Sequence, residues 1–304
     1  MTASIITIGD ELLIGQVVDT NSARIGTWLN GAGIVVADKH TVGDDPGEMR
    51  EAIDTALRTH DLVITTGGIG PTRDDKTKEV VTALFGCGFV RDEAVYRHIE
   101  AMTAARGFAF NELNKAQADV PSCATVLHNE NGTAPGLWLE RDGHILVVLP
   151  GVPFETEALM VSQVLPRLRA LAPGGGIVHR TMITSGIGES VLAERIAAWE
   201  DALPSYIKLA YLPSPSGVRL RLSAYNVDFE AVGAEIDERF AALEKLIPGH
   251  VMGYGEQTVE SYVARLLSER GATLAVAESC TGGAIASRFT AIAGASEYFM
   301  GGVV

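Results

Sequence analysis

Apolar residues in the first part of the chain alternate between short unbroken runs and sets spaced for a helix face. Ser4 to Ile8 is a run that ends at Gly9, the pattern of a buried strand. Ile25, Trp28, Leu29 and Ala32 stand at i, i+3, i+4 and i+7, one face of a helix. Ile34 to Ala37 reads as the next strand. Met49, Ala52, Ile53, Ala56 and Leu57 repeat the helical spacing, with Pro46 suited to the first turn. Leu62-Val63-Ile64 is a third strand that runs into Gly67-Gly68. Lys76–Phe85 and Glu93–Arg106 read as helices, Ile145–Leu149 as a later strand, and Phe154 to Leu171 as the helix after it. Such alternation predicts an α/β unit with a mostly parallel sheet and helices on both faces.

Pro173-Gly174-Gly175-Gly176 is the best linker candidate. Beyond it the pattern changes. Met182–Ser185 is a short strand, and Leu192, Ile196 and Trp199 share a helix face. Val218, Leu220, Leu222 and Ala224 alternate with Arg219, Arg221 and Ser223, a half-buried strand. Phe229, Val232, Ile236, Phe240 and Leu243 mark a long helix, and Val251-Met252 a closing strand. This is a small α+β module, roughly βαββαβ, without catalytic signals, so a structural or dimerising role and a homodimer are expected. A third pattern begins near Glu256: a helix through Val259, Val263, Leu266 and Leu267, a strand Thr273–Ala277, a turn, and a helix Ala284–Thr290. The expected divisions are 1–172, 177–255 and 256–304.

Charge narrows the partners. Lys plus Arg number 24 against 38 Asp plus Glu, a net charge of −14. That field opposes direct binding to nucleic acid or anionic lipid. No apolar run approaches the ~20 residues of a membrane span. The N-terminus lacks a basic n-region and a cleavage pattern, so a cytoplasmic protein is expected. Three widely spaced cysteines, Cys87, Cys123 and Cys280, argue against a disulfide framework, and the lack of a Cys-x-x-Cys pair argues against structural zinc.

The richest chemistry is Gly67-Gly68-Ile69-Gly70-Pro71-Thr72-Arg73-Asp74-Asp75, between a buried strand and a helix. Glycines there let backbone approach a ligand, and the amides of such a turn can hold an anion. Gly67, Gly68, Gly70, Thr72, Arg73 and Thr77 are candidate binders of a small phosphorylated nucleotide. Asp74 and Asp75 are candidate catalytic carboxylates, although Asp75 also suits a helix N-cap. Two further strand ends carry carboxylates, Gly9-Asp10-Glu11 leading on to Asn21, and Pro150-Gly151-Val152-Pro153-Phe154-Glu155. Ligands of open α/β sheets bind beyond the carboxyl ends of the strands, so Asn21 and Gly151 join the binding set. Asp10, Glu11, Asp75 and Glu155 form a candidate metal set for Mg²⁺, Mn²⁺ or Co²⁺. The Asn129–Gly136 loop, with Asn131, is either a ligand wrap or a connection.

The Gly9-Asp-Glu-Leu-Leu segment, the Gly-Gly-Ile-Gly-Pro-Thr-Arg-Asp-Asp-Lys-Thr run, the Asn129–Gly136 loop and Pro150-Gly-Val-Pro closely resemble the CinA family. The resemblance implies an N-terminal domain like the molybdopterin-binding domains, then a KH-like module, here without a basic Gly-x-x-Gly loop. It further implies metal-dependent hydrolysis of ADP-ribose to AMP and ribose 5-phosphate, with Asp75 matching the family's aspartate. A pterin-cofactor transferase and a nucleotide-binding regulator without turnover are the alternatives.

A second constellation is Ala277-Glu278-Ser279-Cys280-Thr281-Gly282-Gly283. A serine at a strand-to-helix turn can expose its hydroxyl near N–H donors. It can equally be a helix N-cap. Cys280 has no basic neighbour in sequence and reads as structural. The run resembles the family's C-terminal domain, which implies deamidation of nicotinamide mononucleotide with Ser279 as nucleophile. No lysine follows Lys245 and no histidine follows His250, while Tyr262 and Tyr298 are the phenols of this part. A partial α/β amidase domain, lacking an activating base and therefore useful deamidase activity, is the expectation.

Overall fold

The computed structural model describes residues 1–171, 176–214 and 217–304. The linker expected at 173–176 lies outside the described residues except for Gly176. The chain divides into two units, Met1–Ile177 and Val178–Val304.

The first unit contains β1 (Thr2–Ile8), β2 (Val35–Val42), β3 (Leu62–Thr66), β4 (Phe89–Arg91), β5 (Asp119–Pro121), β6 (Thr125–Leu127), β7 (Gly136–Arg141) and β8 (His144–Leu149). A six-stranded sheet has the order β2-β1-β3-β8-β7-β6. Its first four strands are parallel, and β7 and β6 join antiparallel. Both faces are covered. Ile5, Ile64 and Val147 pack into one apolar cluster, while Ile6, Val63 and Val148 pack into the other. Successive side chains point to opposite faces, so a strand buried on both sides must be apolar at every position. That is why β1, β3 and β8 read as unbroken runs. The expected helices form, including Asn21–Gly31, Pro46–Thr59 and Thr77–Phe85.

The antiparallel edge was not anticipated. β7 and β8 are joined by Asp142-Gly143, both at positive φ (54° and 85°), the backbone of a two-residue hairpin turn.

The expectation about the cysteines is corrected. Cys87 and Cys123 form a disulfide, with Cα atoms 6.0 Å apart. The cause is β4 pairing antiparallel with β5, Phe89 opposite Pro121 and Arg91 opposite Asp119. Continuing that register by two residues sets Cys87 directly opposite Cys123.

In the second unit β9 (Gly176–Thr184), β10 (Lys208–Ser214), β11 (Gly217–Val227) and β12 (Val251–Tyr254) form a sheet of order β10-β11-β9-β12. Helices Glu189–Asp201 and Phe229–Glu244 pack on it through Leu192, Ile196, Ile236 and Phe240. The βαββαβ order is realised. Farther along, β13 (Leu274–Ala277) and β14 (Phe299–Val303) pair in parallel around helix Ala284–Thr290. No helix among the described residues is long and apolar enough to cross a membrane.

Candidate functional site

Loops leaving the carboxyl ends of β1, β3 and β8 converge on a cavity of about 570 Å³. Gly67 and Gly68 adopt φ of 109° and 66°. A methyl at Gly67 would collide with the Ile8 carbonyl oxygen, and one at Gly68 with the Thr77 hydroxyl. Only glycine fits this crossing of two strand ends. Thr77 closes the turn: its hydroxyl donates to Gly67 O (3.1 Å) and its amide to Gly68 O (3.0 Å). Asn21 laces the loops together. Its Nδ2 donates to Thr66 Oγ1 (3.0 Å) and Gly151 O (2.8 Å), while Thr66 Oγ1 donates to Pro150 O (2.7 Å).

The wall brings together Asn21, Gly67, Gly68, Gly70, Gly151, Glu11, Asp74, Asp75 and Glu155. Thr72, Arg73, Thr77, Asn131 and Asp10 were expected there and do not line it. Thr77 is buried beneath the turn, and Arg73 is exposed outside the wall.

Asp75 holds the loop together. One oxygen accepts from the Gly70 amide (2.8 Å), the other from the Thr72 amide (2.9 Å) and hydroxyl (2.5 Å). It is not a helix N-cap, since Lys76 occupies that position. Glu155, buried, accepts from Asn129 Nδ2 (2.7 Å), and burial pushes its carboxyl up, partly offset by that bond. Asp10 faces Asp44 through reciprocal bonds, Asp10 N to Asp44 Oδ2 (3.1 Å) and Asp44 N to Asp10 Oδ1 (3.2 Å). Burial pushes the Asp44 carboxyl up, and the charges of Asp10, Glu11 and Asp74 add to this against the Asp10 amide.

These carboxylates do not fit the expected metal site. Asp75 already accepts from Gly70 and Thr72, Asp10 is off the wall, and one Glu155 oxygen accepts from Asn129. Among the described residues no three His, Cys, Asp or Glu side chains converge as ligands of one ion. No step is therefore assigned to a metal.

Three residues of this region were not singled out in the sequence, although Asn129 opens the loop read there as a ligand wrap or a connection. Asn129 is the knot of its loop: Nδ2 also donates to Ala134 O (2.9 Å), and Oδ1 accepts from the amides of Asn131 (3.0 Å) and Gly132 (3.1 Å). An Asn two residues before another amide is an Asx-turn signal that was available. Asp44 follows β2, a strand end that the carboxylate pattern did not include. Gln117 reaches the wall from the segment between β4 and β5, far from any motif.

At the end of β13 the Glu278 carboxylate accepts from the amides of Ile285 and Ala286 (both 2.9 Å). Burial pushes it up, but these amide bonds outweigh burial and hold it below the usual carboxylate range. Ser279 is exposed in the turn that Glu278 anchors. It is not the helix N-cap, a place taken by Gly283. Cys280, expected to be structural, is an exposed free thiol.

Known proteins are similar to this chain. Residues 4–170 match the model of a probable molybdopterin binding domain, 179–253 the damage-inducible protein CinA KH domain, and 256–304 the CinA C-terminal domain. A CinA-like protein of Flavobacterium psychrophilum is 43% identical over 306 residues, spanning all of this chain and 73% of its own length. Another from Cytophaga hutchinsonii is 43% identical over 302 residues, 99% of this chain and 72% of its own. The crystal structure of the protein CinA with unknown function from Thermoplasma acidophilum is similar over 55% of this chain and 97% of that one, with 36% identity and a TM-score of 0.51.

These findings overturn the expected hydrolysis of ADP-ribose. The domain that was to perform it matches a probable molybdopterin binding domain, and its principal carboxylate, Asp75, is spent on the loop. The C-terminal match is consistent with a hydrolase of the amidase kind. By all three domain matches and by its relatives, this chain belongs to the CinA family.

Proposed function

We propose that the protein is an amide hydrolase related to the nicotinamide-nucleotide amidases, with Ser279 as its nucleophile. The observation that carries this is the exposed Ser279 at a strand-to-helix turn pinned by Glu278, within the part that matches the CinA C-terminal domain. The Ser279 Oγ attacks the carboxamide carbon, ammonia leaves, and water then cleaves the acyl ester to release the carboxylic acid. The amides of Cys280 and Thr281 make no hydrogen bond among the described residues and are the available donors to the oxyanion. No lysine or histidine occurs from residue 256 onward.

The test is ammonia release from nicotinamide mononucleotide, with and without imidazole. Release is expected at least where imidazole supplies a base, and Ser279→Ala should abolish it. Release undiminished in that variant, or none even with imidazole, overturns the proposal.

A further inference from the structure

We infer that the Cys87–Cys123 disulfide is a redox latch. A dithiol reductant that cuts it lets the segment between the two cysteines open and withdraw Gln117 from the cavity wall. The inference is independent of the amidase chemistry at Ser279. The segment holds β4, helices Glu93–Ala105 and Glu112–Ala116, and β5. It packs a small apolar cluster of its own around Val95, Ile99 and Ala118. Its neck is narrow. β4 and β5 pair over three residues, and all three of β4 are exposed. The bonds from Arg91 to Asp119 across the neck (2.9 and 3.1 Å) are exposed too, and such surface pairs contribute little. The disulfide closes the neck where the ladder stops.

The closed segment carries its own reason to open. Gln117 is 2% exposed, lines the cavity, and leaves both Oε1 and Nε2 buried without a partner. His98, on helix Glu93–Ala105, leaves Nε2 in the same state. Of the six such atoms among the described residues, three therefore lie between the two cysteines. Each costs about 1–3 kcal/mol while it stays buried, and water satisfies it once the segment opens. Against this stand the small apolar cluster and Lys78, whose Nζ donates to the carbonyls of Ala116 (3.3 Å), Gln117 (3.3 Å) and Asp119 (3.2 Å). The disulfide tips the balance by removing chain freedom from the open state, and cutting it returns that freedom.

The chemistry is thiol–disulfide exchange. Cys123 is exposed and Cys87 half-buried, so an incoming thiolate meets the Cys123 sulfur first. It bonds to Cys123 Sγ, the bond between the two cysteines breaks, and Cys87 leaves as a thiolate that takes a proton. The second thiol of the reductant then attacks the reductant's own sulfur in the mixed disulfide and releases the Cys123 thiol. Two electrons pass to the protein, and the reductant departs as a disulfide. Because Gln117 forms part of the wall, the oxidised and reduced proteins present different cavities.

Amide hydrogen exchange of the full chain, with and without dithiothreitol, tests this. Thiol titration of protein purified without reductant should find one thiol, Cys280, and three after reduction. Reduction should speed exchange at least about tenfold in residues 88–122 and leave β1, β3 and β8 unchanged. Cys87→Ser should exchange fast in that segment with or without dithiothreitol, and Cys280→Ser should respond as the wild type does. In reduced Gln117→Leu the segment should exchange more slowly than in the reduced wild type, because closing no longer buries an unpaired amide. Three thiols before reduction, exchange unchanged by reduction, or equal acceleration through the sheet strands overturns the inference. Faster exchange in reduced Gln117→Leu overturns it too, since the amide would then have a partner in the closed form. The comparison of oxidised with reduced wild type needs no variant and stands even if a substitution prevents folding.

Discussion

Replacing Asn129 with alanine is expected to destabilise the first unit by about 3–4 kcal/mol at pH 7. The side chain makes four hydrogen bonds, and its removal strands the Asn131 and Gly132 amides, the Ala134 carbonyl and the Glu155 carboxylate. The three neutral bonds contribute about 1 kcal/mol each and the charged one about 1.5–3. The sum of roughly 5 is discounted because Asn131 is exposed and water can replace part of what is lost. The loss also depends on pH. Burial already raises the Glu155 pKa, and Asn129 holds it partly down. A carboxyl with a raised folded-state pKa stabilises the fold below its unfolded value and loses that contribution as pH rises through the folded one. Removing Asn129 raises the folded pKa further, so the damage is greatest at neutral pH and shrinks as pH falls and Glu155 takes up its proton. Urea unfolding at pH 7 and pH 4.5 measures both values. In Asn129→Ala, a further Glu155→Gln change should recover part of the loss at pH 7 only. A loss below about 1 kcal/mol, or one of equal size at both pH values, would refute the reasoning.

Two other perturbations probe different links. Cys87→Ser should destabilise the first unit by about 2–4 kcal/mol, since the disulfide closes a 36-residue separation in the unfolded chain; urea midpoints that coincide for wild type and variant would show that the β4–β5 pair carries the segment alone. The Glu278 pKa is depressed below its ordinary 4.5, so the order it gives the Ser279 turn is present above that value and is lost as pH falls through the depressed pKa. Amide proton shifts of Ile285 and Ala286 followed from pH 6 to pH 2 should titrate together below pH 4.5, and shifts that move only above it would contradict the assignment.

Local periodicity by itself determined the buried strands, the helix faces and the glycine turn at the end of β3. Burial on both faces leaves a strand no choice but continuous apolar residues, and a crossing such as Gly67 over Ile8 O admits nothing but glycine. The Ser279 turn was legible for the same reason, being local to one strand end. The Asp142-Gly143 hairpin was equally local, an Asp-Gly pair set between β7 and the apolar run of β8. The disulfide was not legible, because it depends on two exposed three-residue strands meeting in one register, and short exposed strands leave no apolar trace. Nor was the division of labour among carboxylates. Spacing shows which residues stand at a strand end, not which of their lone pairs are already taken. Asp75 accepts from Gly70 and Thr72, and one oxygen of Glu155 accepts from Asn129, through bonds that exist only once the loops fold back on themselves. Gln117 joins the cavity from a separate segment and is noticeable only because nothing pairs with it, a property of the packed interior that no sequence pattern carries.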